Sequence, residues 1–316
     1  MIPTTASPIR IVAIALFALL PLAATAQAPA PPSSTPTAAP EAKPALRSQQ
    51  VRPGLHVLLG AGGNVAVWSG SDGIVLVDDS LASVTPQLLE AIAKIAPGPV
   101  RFVVNTNWHP DHTGGNEALG RAGAVIIAHD NTRSRMSEPQ AVQEYDTKVP
   151  AAHKAALPLI TFADSTNLHL NGDNLLLVHA DEAQTDGDLV AWWESANVVQ
   201  VGDLFYNGSY PFIDLGSGGS LAGVVAAIEI VLARADAKTV VIPGHGPVSN
   251  RAELAAYRDM LVAVGRRVRE LVEQDRSEQE IVAARPTADF DERYGRGSMT
   301  PERFVRLVYA DLVAGR

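Results

Sequence analysis

The chain has 316 residues, 47% of them apolar, which is room for one large domain or two modest ones around a packed core. A formal charge of −9 gives no basic footprint for nucleic acid or anionic lipid. With no cysteine, the sequence excludes disulfides, zinc fingers, iron–sulfur clusters and a thiol nucleophile, so any metal must be held by His, Asp, Glu and amide or hydroxyl oxygens.

Arg10 precedes an apolar run over 11–22, and Ala24-Thr25-Ala26 then offers small residues at cleavage positions. The run is short for a membrane-spanning helix. These features predict a signal peptide over 1–26 rather than an uncleaved anchor. Periplasmic or secreted location follows, with no stable membrane insertion after cleavage. Residues 27–48 are rich in Ala, Pro, Ser and Thr and read as a disordered linker.

A folded domain is expected over 49–250. Runs at 54–59, 64–69 and 73–78 are bounded by Gly and Asp and predict three strands in an antiparallel meander. Thr85 is placed to cap a helix over 86–96, with Pro86 at its first position and Leu88, Leu89, Ile92 and Ile95 at helical spacing. Strands follow at 101–106 and 125–128. The polar stretch 130–160 reads as a lid or a linker. Further strands are expected at 168–170, 175–179, 189–194 and 198–202, then a helix at 221–233 and a strand at 239–242. Residues 251–316 read as a helical extension packing on the same domain. Its helices are expected at 251–274, 278–284 and 301–313, and Ser277 with Glu280 makes a capping-box pattern. Strands and helices interleaved twice over suggest an α/β protein with two sheets between helical layers.

The chemistry is concentrated at the end of the strand over 101–106, which runs into Asn107-Trp108-His109-Pro110-Asp111-His112-Thr113-Gly114-Gly115. His109, Asp111 and His112 are potential ligands in one loop, and the two glycines permit a tight turn behind them. Histidine and aspartate together suit zinc, manganese or iron. That density argues for a metal site over a pair of surface histidines.

The segment resembles the His-x-His-x-Asp-His loop of the metallo-β-lactamase superfamily. Three more segments match in order: Gln184-Thr185-Asp186-Gly187-Asp188, Val201-Gly202-Asp203, and Pro243-Gly244-His245-Gly246. The resemblance covers roughly 49–250 and implies a four-layer αβ/βα sandwich with metals at the sheet edge. It places Asn107, His109, Gln184 and Asp203 at the first metal site, so two of that site's three imidazoles are amides here. It places Asp111, His112, His245 and Asp203 at the second site, all intact. The set is closest to the glyoxalase II and lactonase branches and to the third β-lactamase subclass.

An amide oxygen is a poorer zinc donor than an imidazole nitrogen and favours harder cations. The expected cofactor is therefore one tightly bound zinc with a weaker second site, another divalent metal being the alternative. The resemblance implies a metal-dependent hydrolase acting on a small molecule. A metal-bound hydroxide would attack an ester, thioester, lactone or β-lactam carbonyl, and Asp111 and Asp203 would serve as catalytic residues that orient the water. The alternative is a metal-binding, catalytically weak ligand-binding or accessory protein. Trp108, Tyr206 and Tyr210 are candidates for the substrate pocket, and Phe212 a further one. Asp78, Asp79 and Asp188 are expected to support the metal loops. His179 reads as a core or supporting residue.

Overall fold

Apolar, β-branched runs build the first sheet. In the computed structural model, which describes residues 46–315 apart from residue 61, β1 (Arg47–Arg52), β2 (Leu55–Leu59), β3 (Val65–Gly70) and β4 (Gly73–Val77) pair antiparallel. The expected meander is there, and β1 precedes it, starting inside the stretch read as linker. The expected signal peptide and most of that linker lie outside the described residues.

The sheet continues in parallel. Helix α1 (Thr85–Ile95) leads to β5 (Val100–Val104); α2 (Pro110–Thr113) and α3 (Asn116–Arg121) lead to β6 (Val125–His129). Thr85 does not cap α1 but is its first helical residue, and the capping position, Val84, makes no side-chain cap bond. Pro86 still sits in the first turn, where its missing N–H leaves nothing unsatisfied. The stretch read as lid or linker holds α4 (Asp130–Met136), a hairpin of β7 (Gln140–Val142) and β8 (Thr147–Val149), and β9 (Ile160–Phe162), which pairs parallel to β6.

The second sheet runs β10 (Ser165–Leu170), β11 (Asp173–Ala180), β12 (Asp188–Trp193), β13 (Val198–Gln200), β14 (Val240–Ile242) and β15 (Ser249–Asn250). Every pair in it is antiparallel except β13 and β14, which α5 (Leu221–Arg234) joins as a parallel crossover. The extension follows as α6 (Arg251–Val272), α7 (Glu278–Ala283), α8 (Asp291–Tyr294) and α9 (Pro301–Val313). The Ser277–Glu280 capping box forms as the sequence predicts.

Strand alternation sorts the side chains into layers. Leu55, Val57, Val75 and Val77 of the first sheet meet Leu175, Leu177, Leu189, Ala191 and Trp193 of the second in one apolar core. Trp68 and Trp193 pack edge to face across it, with ring centroids 6.2 Å apart. The outer face of the first sheet packs on α1 and α3 through Leu88, Ile92 and Leu119. The outer face of the second, through Val190, Trp192 and Val199, packs on α5, α6 and α9. Each fully buried large apolar side chain contributes about 1.5–3 kcal/mol to this arrangement. The apolar stripe of α6, including Leu254, Tyr257, Leu261, Val264 and Val268, is buried in the last layer and so covers the core. The result is the four-layer αβ/βα sandwich. Among the described residues no helix is long and apolar enough to cross a membrane.

Candidate metal centre

In both sheets the parallel strands end on the same side, and their C-terminal ends carry the candidate ligands. β5 leads into Asn107, His109, Asp111 and His112; β13 leads to Asp203; β14 leads to His245. The two sheets are tied at this end. Gln200 donates through Nε2 to the carbonyls of Asn64 and Val77, at 3.2 and 3.3 Å. Asn64 donates through Nδ2 to Pro243 and Gly246 carbonyls, and its own N–H bonds the Gly244 carbonyl, so it fixes the loop carrying His245. Gly244 allows a close approach that a side chain would block: a Cβ there would lie 2.3 Å from Asp203 Oδ1.

Asp111, His112 and His245 offer ligand atoms that all lie within 4.8 Å of one another. His245 Nε2 is 3.2 Å from both Asp111 Oδ2 and Asp203 Oδ1. His112 Nε2 is 3.7 Å from Asp111 Oδ2 and 3.1 Å from Asp203 Oδ1. Two ligand atoms on a tetrahedral zinc stand about 3.3 Å apart, given bonds of about 2.0–2.1 Å. The spacing fits such an ion.

Electrostatics point the same way. His112 Nδ1 faces Asp78 Oδ2 at 2.9 Å. Where that nitrogen carries the proton, the Nε2 lone pair faces a carboxylate oxygen with no hydrogen bond between them. Burial should keep His112 neutral, yet Asp203, Asp78 and Asp111 hold its pKa well above the ordinary value. Burial likewise opposes charge on His245, but Asp203 and Asp111 hold it up at about 9. Against the upward push of burial, His112 and His245 bring Asp111 down to about 2. The same two imidazoles, with His109, hold Asp203 well below the usual carboxylate range. The cluster demands positive charge: protons when no metal is bound, a divalent cation otherwise. Two imidazoles and hard carboxylates suit zinc or a similar ion.

The first half-site is different. Asn107 was expected to offer its oxygen as a ligand, but Oδ1 accepts the backbone N–H of His109 at 2.9 Å, closing a local turn. Its Nδ2 has no hydrogen-bond partner among the described residues. Gln184 Nε2 lies 3.4 Å from His109 Nδ1, and Oε1 is buried with no partner. His109 Nε2 pairs with Asp214 at 3.1 Å, and Nδ1 stands 3.9 Å from Asp203 Oδ2. Burial opposes its charge, but Asp203 and Asp214 hold it up at about 9. His109, Gln184 and Asp203 therefore converge, while the Asn107 oxygen is engaged by the His109 N–H.

The supporting aspartates stand where the motifs imply. Asp78 Oδ1 accepts the Thr106 N–H at 2.7 Å, and Asp79 accepts the Gly115 N–H at 2.8 Å. Asp188 accepts the backbone N–H of Thr185, beside Gln184. Burial pushes Asp188 up to about 7 despite that bond. His179 stacks on His129 with ring centroids 3.6 Å apart, Nε2 being 3.0 Å from the Asp186 carbonyl, and contacts none of the ligands.

A cleft of about 360 Å³ opens over the cluster, with His109, Asp111, Asp203 and His245 in its lining. Tyr206 and Phe212 line it as well, Tyr206 stacking on His245 at 4.7 Å and Phe212 tilting against His109 at 5.7 Å. Two expected pocket residues are elsewhere. Trp108 is buried behind the loop, its ring against His109, because successive side chains there point to opposite sides. Tyr210 is buried against Phe304, and its hydroxyl donates to Asp291 at 2.9 Å, so it anchors the extension. Sequence reasoning missed Asp214, Asn64 and Gln200 as supports, none of which sits in a ligand motif. Tyr145, within the stretch read as a lid or a linker, lines the cleft.

Comparison with known proteins agrees with this geometry. Residues 60–245 match the model of the metallo-beta-lactamase superfamily. The chain is 26% identical over 200 residues to a metallo-beta-lactamase type 2 of Bacillus cereus, covering 63% of this chain and 72% of that one. It is 30% identical over 190 residues to a hydroxyacylglutathione hydrolase of Anaeromyxobacter dehalogenans, covering 60% and 59%. A metallo-beta-lactamase from Pontibacter korlensis superposes with a TM-score of 0.57 at 21% identity, over 68% of this chain and 98% of that one. A stereoselective inverting sec-alkylsulfatase from Pseudomonas sp. gives 0.64 at 18% identity, over 86% and 51%. These two structures share the fold. The chain belongs to the metallo-beta-lactamase superfamily.

Proposed function

We propose that the protein is a metal-dependent hydrolase of carbonyl compounds that holds one divalent cation tightly, zinc being the first candidate, through Asp111, His112, His245 and Asp203. The observation that carries this reading is the convergence of those side chains on the floor of an open cleft, where an ion can meet a substrate. A cation bound there supplies water activation near neutral pH and polarisation of a substrate oxygen. Asp111, partly exposed to the cleft, and Asp203 orient the attacking water through their carboxylates. His109, fixed by Asp214, presents Nδ1 to the same floor.

In the reaction, water adds to the carbonyl carbon and the bond to oxygen, sulfur or nitrogen breaks. The leaving alcohol, thiol or amine takes a proton, and a carboxylate is released. The bond class is ester, thioester, lactone or β-lactam. The names of the Bacillus and Anaeromyxobacter relatives support hydrolysis. Export is part of the proposal and rests on the sequence of residues 1–26.

The amides at 107 and 184 favour a second reading, a metal-binding protein with little turnover. Elemental analysis of the purified chain, paired with an ester, lactone and β-lactam panel, separates the two. About one zinc per chain is expected, lost in His112→Ala and His245→Ala. Hydrolysis should vanish on chelation and return with zinc. A chain that holds no metal after reconstitution overturns both readings; one zinc without turnover on the panel supports the second.

A further inference from the structure

We propose that the cleft takes an uncharged acyl compound with a short apolar or aromatic group, and that Tyr145, backed by Arg303, selects it. In the hydrolase reading, on which the cleaved bond rests, this substrate is an uncharged ester. The binding preference does not depend on that reading.

The charges come first. Among the described residues no Lys or Arg lines the cleft, and its ionisable floor groups, His109, Asp111, Asp203 and His245, are all paired with one another or with Asp214. Two arginines beside the rim are already engaged. Arg135 forks onto Asp186 with two bonds of 2.7 Å. Arg303 bonds the Glu144 side chain at 2.8 Å, the Glu144 carbonyl at 2.9 Å and the Ser298 carbonyl at 3.0 Å. A ligand carboxylate reaching away from the floor would lose its water and gain no counter-charge, which selects against anionic compounds.

The wall supplies the positive half of the argument. The hairpin of β7 and β8 turns Val142, Tyr145 and Val149 into the cleft, facing Phe212. Tyr145 packs edge-on against Phe212 with centroids 5.0 Å apart, and 40% of its surface stays exposed, open to a ligand in the cleft. The Arg303 guanidinium stands 5.1 Å from the Tyr145 ring centroid. Arg303 belongs to α9, outside the segment matching the superfamily, so the extension positions one wall of the site. At about 360 Å³ the cleft is at the small end of ligand pockets, which span about 300–1,000 Å³ and are mostly apolar.

The test is calorimetric titration of the full-length chain with two non-hydrolysed amides of matched size. N-phenylbutanamide is uncharged, and N-phenylsuccinamate ends in a carboxylate. The uncharged amide should bind at least tenfold more tightly. Tyr145→Ala should weaken the uncharged amide at least fivefold, whereas Tyr145→Phe should keep its affinity. Arg303→Ala leaves Glu144 without its counter-charge beside the rim, so it should keep the ratio at tenfold or more while weakening the uncharged amide at least threefold through the loosened Tyr145 wall. Unchanged affinity for the uncharged amide in Tyr145→Ala overturns the role given to Tyr145. Equal or tighter binding of the anionic amide, or no binding of either at millimolar concentration, overturns the inference. With the zinc-loaded chain and 4-nitrophenyl butanoate, Tyr145→Ala should raise KM at least fivefold and leave kcat within threefold. Absence of turnover with the amide preference intact counts against the hydrolase reading alone and supports the inference.

Discussion

Nδ1 of His112 lies 2.9 Å from Oδ2 of Asp78, and neither side chain has any exposed surface. Asp78 occupies the left-handed region, at φ 63°, which an aspartate tolerates better than most residues. Its carboxylate serves four groups: Nδ1 of His112, the Thr106 N–H, the Thr106 hydroxyl and the Gln200 amide. A carboxylate on the far side of a ligating imidazole fixes its tautomer and turns the other nitrogen to the metal. Asp78→Asn keeps the shape but can offer an N–H to Nδ1. Zinc affinity should fall about 10–100-fold, as such outer partners typically contribute. Competition against a chromogenic chelator measures it, and an unchanged Kd would mean that other contacts orient His112.

Gly244 sets how closely the two ligand loops approach. A Cβ at this position would stand 2.3 Å from Asp203 Oδ1 and 2.7 Å from the Gly202 carbonyl oxygen. Both neighbours are held, Gly202 by the Gly244 N–H and Asp203 by its imidazole partners. Gly244→Ala must therefore push the His245 loop away from Asp203. The expected cost is about 1–3 kcal/mol of stability, typical of overpacking, with at least a tenfold loss of zinc affinity. Thermal unfolding and zinc titration check the two effects separately. Wild-type zinc affinity in this variant would show that the loops need not meet so closely.

The first half-site already holds an oriented imidazole, since Asp214 fixes His109 and leaves Nδ1 toward Asp203 and Gln184. What it lacks is two more nitrogen donors. The double substitution Asn107→His and Gln184→His should raise zinc content from about one to about two per chain. Both positions are fully buried, so each new ring must fit the space of the amide it replaces. Elemental analysis after dialysis is the measurement. A content that stays at one would mean the surrounding loop no longer accepts an ion there.

Much of the site was legible because ligand motifs are local: one loop after β5 carries three candidate ligands within a few residues, and Gly-Asp and Gly-His pairs mark the other loops. The meander, α5, α6 and α9 were legible because apolar period and bounding residues agree there. The stretch 130–160 was not. Its hairpin strands are three residues each, too short to show alternation, and their apolar side chains Val142 and Val149 both line the cleft and pack on the core. Asn64, Gln200 and Asp214 act through contacts spanning more than a hundred residues of chain, which no spacing reveals. Trp108 misled because contact with a ligand residue does not place a side chain on the cleft: its ring packs on His109 and is buried in the core behind the loop.

Tyr210 shows the same limit and gives a direct check on it. Its place after Asp203 suggested the rim of the pocket, but it is 1% exposed, stacked on Phe304 at 4.8 Å. Its hydroxyl donates to Asp291 Oδ1 at 2.9 Å, and burial followed by that carboxylate pushes its pKa well above the ordinary tyrosine value. The residue thus links the loop after Asp203 to the C-terminal extension. Tyr210→Phe removes the hydroxyl, with its contacts to Asp291 and to the Thr287 carbonyl at 3.3 Å, and keeps the ring, so stability should drop by about 0.5–1.5 kcal/mol. Asp291 keeps a partner in Arg285, at 3.1 Å, which holds the loss at that level. KM for any substrate of the cleft should stay within twofold, because no atom of Tyr210 lines it. Urea unfolding and steady-state kinetics on the same preparation test both halves. A large KM change at unchanged stability would return Tyr210 to the pocket.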